Sequence, residues 1–219
     1  MERFDTVVRE IVVQAALSEN LHCRGGPPVF IRVYGVFETI NTLVIEMELS
    51  DGRDLFQGLS SNAFGYGGTV PEMQASKFVY SALLAISYMQ SLSIAHRDIK
   101  LANLLTCSIP GVGMILKLGD FGMSNFAGED GFLRGRCGTP GYVAPEILEA
   151  GPTMGYPNHV DVFSLGVVAY ILLCGYEPFY GVSDRELVAA NKAARFTFPE
   201  QDWEEITEEA KVRETKRVN

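Results

Sequence analysis

Positive charge is in short supply in this chain. Its 219 residues carry 18 Lys and Arg against 27 Asp and Glu, a formal net charge of −9. That balance works against a general affinity for nucleic acid or an anionic membrane, whose phosphates demand a cationic surface. Cysteine is sparse too: Cys23, Cys107, Cys137 and Cys174 are scattered, without metal-ligand spacing or a paired disulfide framework. They read as the reduced thiols of a cytoplasmic or nuclear protein. Long apolar runs are missing. The longest, Val162 to Cys174, is interrupted by Ser164 and Gly166 and falls short of the roughly 20 residues that cross a bilayer. It predicts a buried helix and no membrane partner. The first residues, with Glu2, Arg3, Asp5 and Arg9, hold no signal-peptide core, and there is no internal repeat. What is present is an ordinary globular composition, 47% hydrophobic and 21% charged, which excludes disorder over most of the length.

Val7, Val8, Ile11, Val12 and Ala15 recur at helical spacing and predict an amphipathic helix over 4–19. The Cys23–Pro28 stretch, with Gly25-Gly26-Pro27-Pro28, ends it in a loop. Val29–Phe37 and Thr42–Leu49, rich in β-branched and aromatic residues, flank Glu38-Thr39-Ile40-Asn41 as the arms of a hairpin. Ser60–Gly68 is a glycine- and serine-rich connector. Thr69 with Glu72 three residues on makes a capping-box pattern, and the helix it opens should run to about Ser91. Short strands are expected over 104–106 and 115–118, and helices over 161–174 and 183–194 with Ser183 or Asp184 as cap. A charged terminal stretch should turn helical near Thr207. Between them, 119–145 is glycine-rich and irregular, and a loop of that length is uncommon unless it is functional.

The densest chemistry lies in His96-Arg97-Asp98-Ile99-Lys100-Leu101-Ala102-Asn103. A core strand would not tolerate such charge, because buried charges cost several kcal/mol unless paired. Asp120-Phe121-Gly122 follows at the end of another apolar run, Met114 to Leu118. Two acid-bearing turns at the edges of hydrophobic segments point to carboxylates gathered at one site. Phosphoryl transfer uses such a set: a carboxylate to orient and deprotonate an attacking hydroxyl, and oxygen ligands for magnesium on the phosphates. Asp98 is the candidate for the first, Asn103 and Asp120 for the second, and Lys100 is placed to steady charge on the transferred group. A solvated surface loop is the plain alternative for any one of these residues; the two motifs together are far more specific.

His96 to Asn103 resembles the catalytic loop of eukaryotic protein kinases, with Ile99 in the usual Leu position. Asp120-Phe121-Gly122 resembles their magnesium-binding turn, and Ala144-Pro145-Glu146 the motif that closes the activation segment. Gly138–Val143 and Asp161–Gly166 match as well, in order, from about residue 4 to about residue 211. Lys100 is typical of serine/threonine kinases. Gly138–Glu146, Pro178-Phe179-Tyr180-Gly181 and the stretch from Phe198 to Lys211 are most similar to the calcium/calmodulin-dependent and calcium-dependent kinase group. The resemblance implies an α+β, protein-kinase-like two-lobe fold. A partial N-lobe over 1–49 would hold helix C and the strands to the hinge, a mainly helical C-lobe would span 50–211, and 212–219 would be a divergent tail. It implies transfer of the ATP γ-phosphate to serine or threonine hydroxyls of protein substrates, with ATP and Mg2+ as cofactors. Glu10 would be the helix C glutamate that pairs with a strand lysine, and Met47 the gatekeeper. Glu48 to Ser50 would be the hinge that offers backbone groups to adenine, Asp54 the ribose contact and Leu105 the adenine floor. Thr139 would sit close to Asp98 and Lys100. Asp161 would hold the catalytic loop from beneath, and His96 would stack with Phe121 in the regulatory spine.

The same resemblance implies parts that these residues do not supply. In the family a glycine-rich loop and a strand lysine precede helix C, whereas no lysine precedes Glu10. Gly65-Tyr66-Gly67-Gly68 follows the hinge and reads as a connector. The expectation is therefore a chain truncated at both ends, of weak or absent activity by itself, with a catalytically dead, kinase-like binding module as the alternative. The hairpin should keep an unpaired edge, and Glu146 should lack its arginine partner. No calmodulin-binding helix or EF-hand loop is present, so calcium or calmodulin control is not encoded. Arg97 in many relatives grips an activation-loop phosphate, yet Met123–Arg136 offers only Ser124, and Arg134-Gly135-Arg136 fills the usual acceptor position. Glu129 and Asp130 are the acidic candidates to substitute. Gln14 occupies a spine position that is usually apolar, and Ala102 replaces a glutamate that in several relatives helps bind basic substrate residues.

Overall fold

Apolar side chains on every face leave a helix without a solvent side, and that is how α5 (Val160–Cys174) comes to lie in the middle of the larger part, nearly all of it buried. The computed structural model describes residues 7–17, 29–111, 113–150 and 154–211. Over them the chain is α+β, a small strand-rich part beside a larger helical part. Helix α5 stops at Gly175, whose φ of 85° is left-handed and whose N–H returns to the Ile171 carbonyl at 2.8 Å.

Helix α3 (Glu72–Ser91) packs on α5 and on the short strands beside it, burying Ala75, Phe78, Val79, Ala82, Ala85, Ile86 and Met89, a stripe at three- and four-residue spacing. The predicted capping box does not form. Val70 donates its N–H to Leu172 of α5 at 2.9 Å, which holds the chain extended, and the helix starts only after Pro71. Thr69 donates to the Tyr66 carbonyl, and the Glu72 carboxylate instead accepts the Thr207 N–H at 3.0 Å and its hydroxyl at 2.8 Å. Tertiary partners outcompete the local motif.

Around these helices lie α2 (Leu55–Ser60), α4 (Pro145–Glu149), α6 (Asp184–Ala193) and α7 (Glu200–Trp203), with α6 capped by Ser183 as predicted. Residues 208–211 are helical, after the predicted start at Thr207. Strand β3 (Ile94–Ala95) pairs with β6 (Asn125–Phe126). Strands β4 (Leu104–Ile109) and β5 (Gly113–Leu118) pair antiparallel from Leu104 opposite Leu118 to Ile109 opposite Gly113, each longer than predicted only at the end next to the turn between them. Alternation sends Leu104, Leu116 and Leu118 into the core and leaves Leu105 half-buried on the other side.

The small part consists of α1, helical across 7–17, and the hairpin of β1 (Val33–Glu38) and β2 (Leu43–Met47). Val13, Gln14 and Leu17 are the buried face of α1. The hairpin is a sheet of two strands, with Tyr34 63% and Phe37 56% exposed. It is tied to the larger part through β5: Ile31 donates to the Leu118 carbonyl at 3.0 Å and Leu118 to that of Val29 at 2.8 Å. The predicted loop over 23–28 and the tail over 212–219 lie outside the described residues. No helix among the described residues is long and apolar enough to cross a membrane.

Candidate active site

The 96–103 loop leaves β3 over the first turn of α5. There Asp161, fully buried, accepts the N–H groups of His96 and Arg97, both at 2.7 Å. Burial pushes the Asp161 pKa up, against the two N–H bonds and the Arg97 charge. The pair of bonds fixes Arg97 at a φ of 66°, left-handed backbone that costs a non-glycine residue about 1–3 kcal/mol. His96 accepts the Asp98 N–H at Nδ1 (3.3 Å), so its Nε2 carries the proton and donates to the Gly119 carbonyl at 3.1 Å. Its ring meets Phe121 edge-on, with centroids 5.3 Å apart, rather than in a parallel stack.

That backbone presents Asp98 to a tight cluster. Lys100 Nζ lies 2.7 Å from Asp98 Oδ2, the Thr139 hydroxyl donates to Oδ1 at 2.6 Å, and Lys100 also donates to Thr139 at 3.1 Å. Asn103 Nδ2 donates to the Asp98 carbonyl at 2.9 Å and to Oδ2 at 3.3 Å. Burial raises the pKa of Asp98, but the hydrogen bonds from Lys100 and Thr139 and the Lys100 charge outweigh it and hold the carboxyl below its ordinary value. Asp98 is thus an ionised acceptor at neutral pH.

With its amide nitrogen turned to Asp98, Asn103 has its amide oxygen on the opposite side. Its carbonyl accepts the Gly119 N–H at 3.0 Å, which sets it against the residue before Asp120. Asp120 is exposed, at a φ of 59°. The Glu10 carboxyl is half-buried, and its pKa is raised by that burial and then by the Asp120 charge. The donors available, an amide oxygen and a carboxylate, fit Mg2+, which binds through one or two protein oxygens and takes its remaining ligands from water and phosphate. No group of three or more His, Cys, Asp or Glu suited to a metal occurs among the described residues.

On the hairpin side, Met47 is 44% exposed at the end of β2, and Glu48 donates its N–H to the Arg32 carbonyl at 2.7 Å. The Glu48 carboxylate pairs with Lys117, a buried lysine of β5. Among the described residues no backbone hydrogen bond occupies the Glu48 carbonyl or the Ser50 N–H; the Ser50 hydroxyl donates to the Thr106 carbonyl at 2.8 Å. Asp54 caps α2, accepting the Gln57 N–H at 2.8 Å, and pairs with Leu105 in an isolated bridge. Leu105 packs over Gly119, where a Cβ would meet it at 3.1 Å. The structure therefore joins Asp98, Lys100, Asn103 and Thr139 in one hydrogen-bonded cluster. Outside that cluster, Glu10 feels the Asp120 charge, and Asp54 and Leu105 are bridged to each other.

The expected acidic substitute for a phosphate is not used by Arg97. Asp130 pairs with Arg134, four residues away on its own turn, and no salt bridge to Arg97 occurs among the described residues. Its guanidinium donates instead to the carbonyls of Met123 (2.8 Å) and Arg134 (3.0 Å) and to the Tyr156 hydroxyl (3.1 Å). Tyr156 in turn donates to the Gly135 carbonyl at 2.7 Å, and exchanges backbone bonds with Leu133. Ser124 is fully buried and donates to the His96 carbonyl at 3.4 Å. Tyr156, Asn191 and Lys117 are the supporting residues that the sequence reading missed. Only Lys117 left a signal, a charge between Leu116 and Leu118 of a core strand.

An α+β fold that sets the Asp98 cluster against the residue before an Asp-Phe-Gly turn has the parts of a phosphotransferase. The chain belongs to the protein kinase family: the protein kinase domain matches residues 2–216. It is 40% identical to a probable myosin light chain kinase of Dictyostelium discoideum over 81% of this chain and 48% of that protein. It is 41% identical to human calcium/calmodulin-dependent protein kinase type 1B over 84% of this chain and 51% of that protein. The serine/threonine-protein kinase DCLK2 of Mus musculus is also 41% identical, over 84% of this chain and 23% of its own length. The chain thus spans about half the length of the first two relatives, and by family it is a serine/threonine kinase related to the calcium/calmodulin-dependent group.

Proposed function

We propose that these residues carry the chemical centre of a protein serine/threonine kinase, with a partial N-lobe over 1–49 and a C-lobe over 50–211. One observation carries the reading. A buried, ionised Asp98 is held between Lys100 and Thr139, on a loop whose backbone Asp161 fixes. In this reading Asp98 orients a serine or threonine hydroxyl of a protein substrate and accepts its proton, and Lys100 offsets charge on the group in transfer. Asn103 and Asp120 hold Mg2+. The Glu48 carbonyl and Ser50 N–H bind adenine beside Met47 and over Leu105, and the free oxygen of Asp54 faces the ribose. Magnesium-bound ATP supplies the γ-phosphoryl group.

The glycine-rich loop and strand lysine are not found before Glu10 in these residues. Two charge-assisted hydrogen bonds to phosphate at about 1.5–3 kcal/mol each correspond to roughly 10²- to 10⁴-fold in rate. Weak transfer by this chain alone is the expected result. The test is transfer of labelled phosphate from Mg-ATP to a serine- or threonine-bearing protein, with Asp98→Asn and Asp120→Asn abolishing it and Mg-ATP raising the melting temperature. Transfer retained in either variant would remove the assigned roles. A chain that neither transfers phosphate nor responds to Mg-ATP would be a binding module, a reading favoured by the open hairpin and the groove of about 910 Å³ between it and α1.

A further inference from the structure

Helix α6 buries an amide. Asn191 is fully shielded from solvent, beside Leu187, Ala190 and Ala194, which pack on the core. Both ends of its side chain are used. Oδ1 accepts the Gly141 N–H at 3.1 Å, and Nδ2 donates to the Val143 carbonyl at 2.9 Å. The residue between them is held from α5, where the Ser164 hydroxyl donates to the Tyr142 carbonyl at 2.7 Å. The Tyr142 N–H closes a turn onto the Thr139 carbonyl at 3.1 Å. Three consecutive residues thus have backbone groups fixed by two side chains of the helical core. A buried amide is tolerated only when its partners are met, and here they belong to the strip that ends on the Asp98 cluster.

The position of that strip matters to a substrate. Thr139 touches Asp98, so a hydroxyl offered to Asp98 lies beside it. A peptide advances about 3.3–3.6 Å per residue when extended, and its residues next to the acceptor must then cross Pro140 to Val143. Gly141 sits at a φ of 88°, a conformation that an unsupported strip would leave readily.

We propose that Asn191 is a positioning residue for the transfer reaction: its amide fixes the 139–143 strip, which keeps Thr139 on Asp98 and presents a groove of set shape to the substrate residues flanking the acceptor. The functional part of this proposal rests on the reading of Asp98 given above; the hold of Asn191 on Gly141 and Val143 does not.

The experiment uses the whole chain with Asn191→Leu, which keeps the size and removes the amide, and Asn191→Ser, which keeps a hydroxyl should the leucine variant not fold. Amide exchange is measured at Gly141, and transfer to a serine-bearing peptide is measured for each variant beside the unmodified chain. The expected result is Gly141 exchange about tenfold faster and a KM for the peptide that rises more than kcat falls. A folded variant with lowered melting temperature but unchanged Gly141 exchange, or with KM and kcat both unchanged, would make Asn191 merely structural and overturn the proposal. Absence of transfer by the unmodified chain, or transfer that survives Asp98→Asn, would overturn the kinase reading, and the exchange at Gly141 would still decide whether Asn191 fixes the strip.

Discussion

Replacing Asp161 by Asn should unseat the loop that carries Asp98. The carboxylate accepts two backbone N–H groups at 2.7 Å each, from His96 and Arg97, with no solvent contact. An asparagine of the same shape keeps one oxygen and turns an NH2 group against the other N–H. One charge-assisted bond becomes a neutral one and the second is lost, with a buried donor left unmet. At about 1.5–3 kcal/mol for a bond to a charged group, and about 1–3 for an orphaned one, the loss would be about 3–5 kcal/mol if nothing compensated. Burial of the charge offsets part of it, since the same site pushes the Asp161 pKa up, so the lower figure of about 3 kcal/mol is expected. For a chain of this size that is a fall of about 6–12 °C in melting temperature. Urea and thermal unfolding followed by circular dichroism measure it. Amide exchange at His96 and Arg97 localises it, because the Arg97 N–H bond to Asp161 is the backbone contact that supports its φ of 66°. A loss below about 1 kcal/mol, with protection at both amides unchanged, would refute the anchoring argument.

Three further outcomes follow from the site. The Asp98 carboxyl should titrate below an unfolded aspartate, so its ion-paired form contributes stability that is complete above the unfolded pKa and lost as pH falls through the folded one; Lys100→Met should raise the midpoint in an NMR titration, and an unmoved midpoint would refute the pairing. Glu10 has the opposite sign: burial and Asp120 raise its pKa, so its charged form weakens the fold as pH rises through that value. Glu10→Gln should therefore stabilise the chain at pH 7 and lose its advantage in acid, and a gain that persists below the unfolded pKa would contradict this. Tyr156→Phe removes a hydroxyl that accepts from Arg97 and donates to Gly135, for a loss of about 1–3 kcal/mol. It should also hasten tryptic cleavage after Arg134 and Arg136; unaltered digestion would show that the segment is held by other contacts.

Most of the charged chemistry was legible because it is local. Asp98, Lys100 and Asn103 lie within one turn, so a single window of sequence displays the cluster, and only Thr139 joins it from a distance. Helix α5 was legible for a different reason: a run with apolar residues on every face and only Asp161, Ser164 and Tyr170 among them belongs in the interior. The failures arose where a tertiary partner overruled a local signal. Thr69 and Glu72 spell a cap, yet Leu172 takes the Val70 N–H and Thr207 takes the Glu72 carboxylate. Asp130 offered a charge to Arg97 but lies four residues from Arg134, whose closer guanidinium claims it.

Neutral residues escaped notice for a physical reason as well. Asn191 falls in Ala189-Ala190-Asn191-Lys192, where an amide reads as the solvent face of α6, and its partners lie 50 and 48 residues away. Tyr156 is 59 residues from Arg97. A charge in an apolar context announces itself, because only a partner or a reaction explains it. A hydroxyl or amide is at home on the surface and in the core alike, and its role appears only when the backbone groups around it are accounted for one by one. Here that accounting gives the two kinds of residue different tasks. The charged groups Asp98, Lys100 and Asp120 lie on the two acid-bearing turns, where the proposed reaction would use them. The neutral groups Tyr156, Ser164 and Asn191 fix the backbone of 133–143. The orientation of Asp98 by that neutral scaffold need not weaken with salt, whereas the Lys100 pair that lowers its pKa is 27% exposed on the lysine side. Added salt should therefore raise the Asp98 midpoint part of the way while leaving Gly141 exchange unchanged, and exchange that quickens with salt would refute the division of tasks.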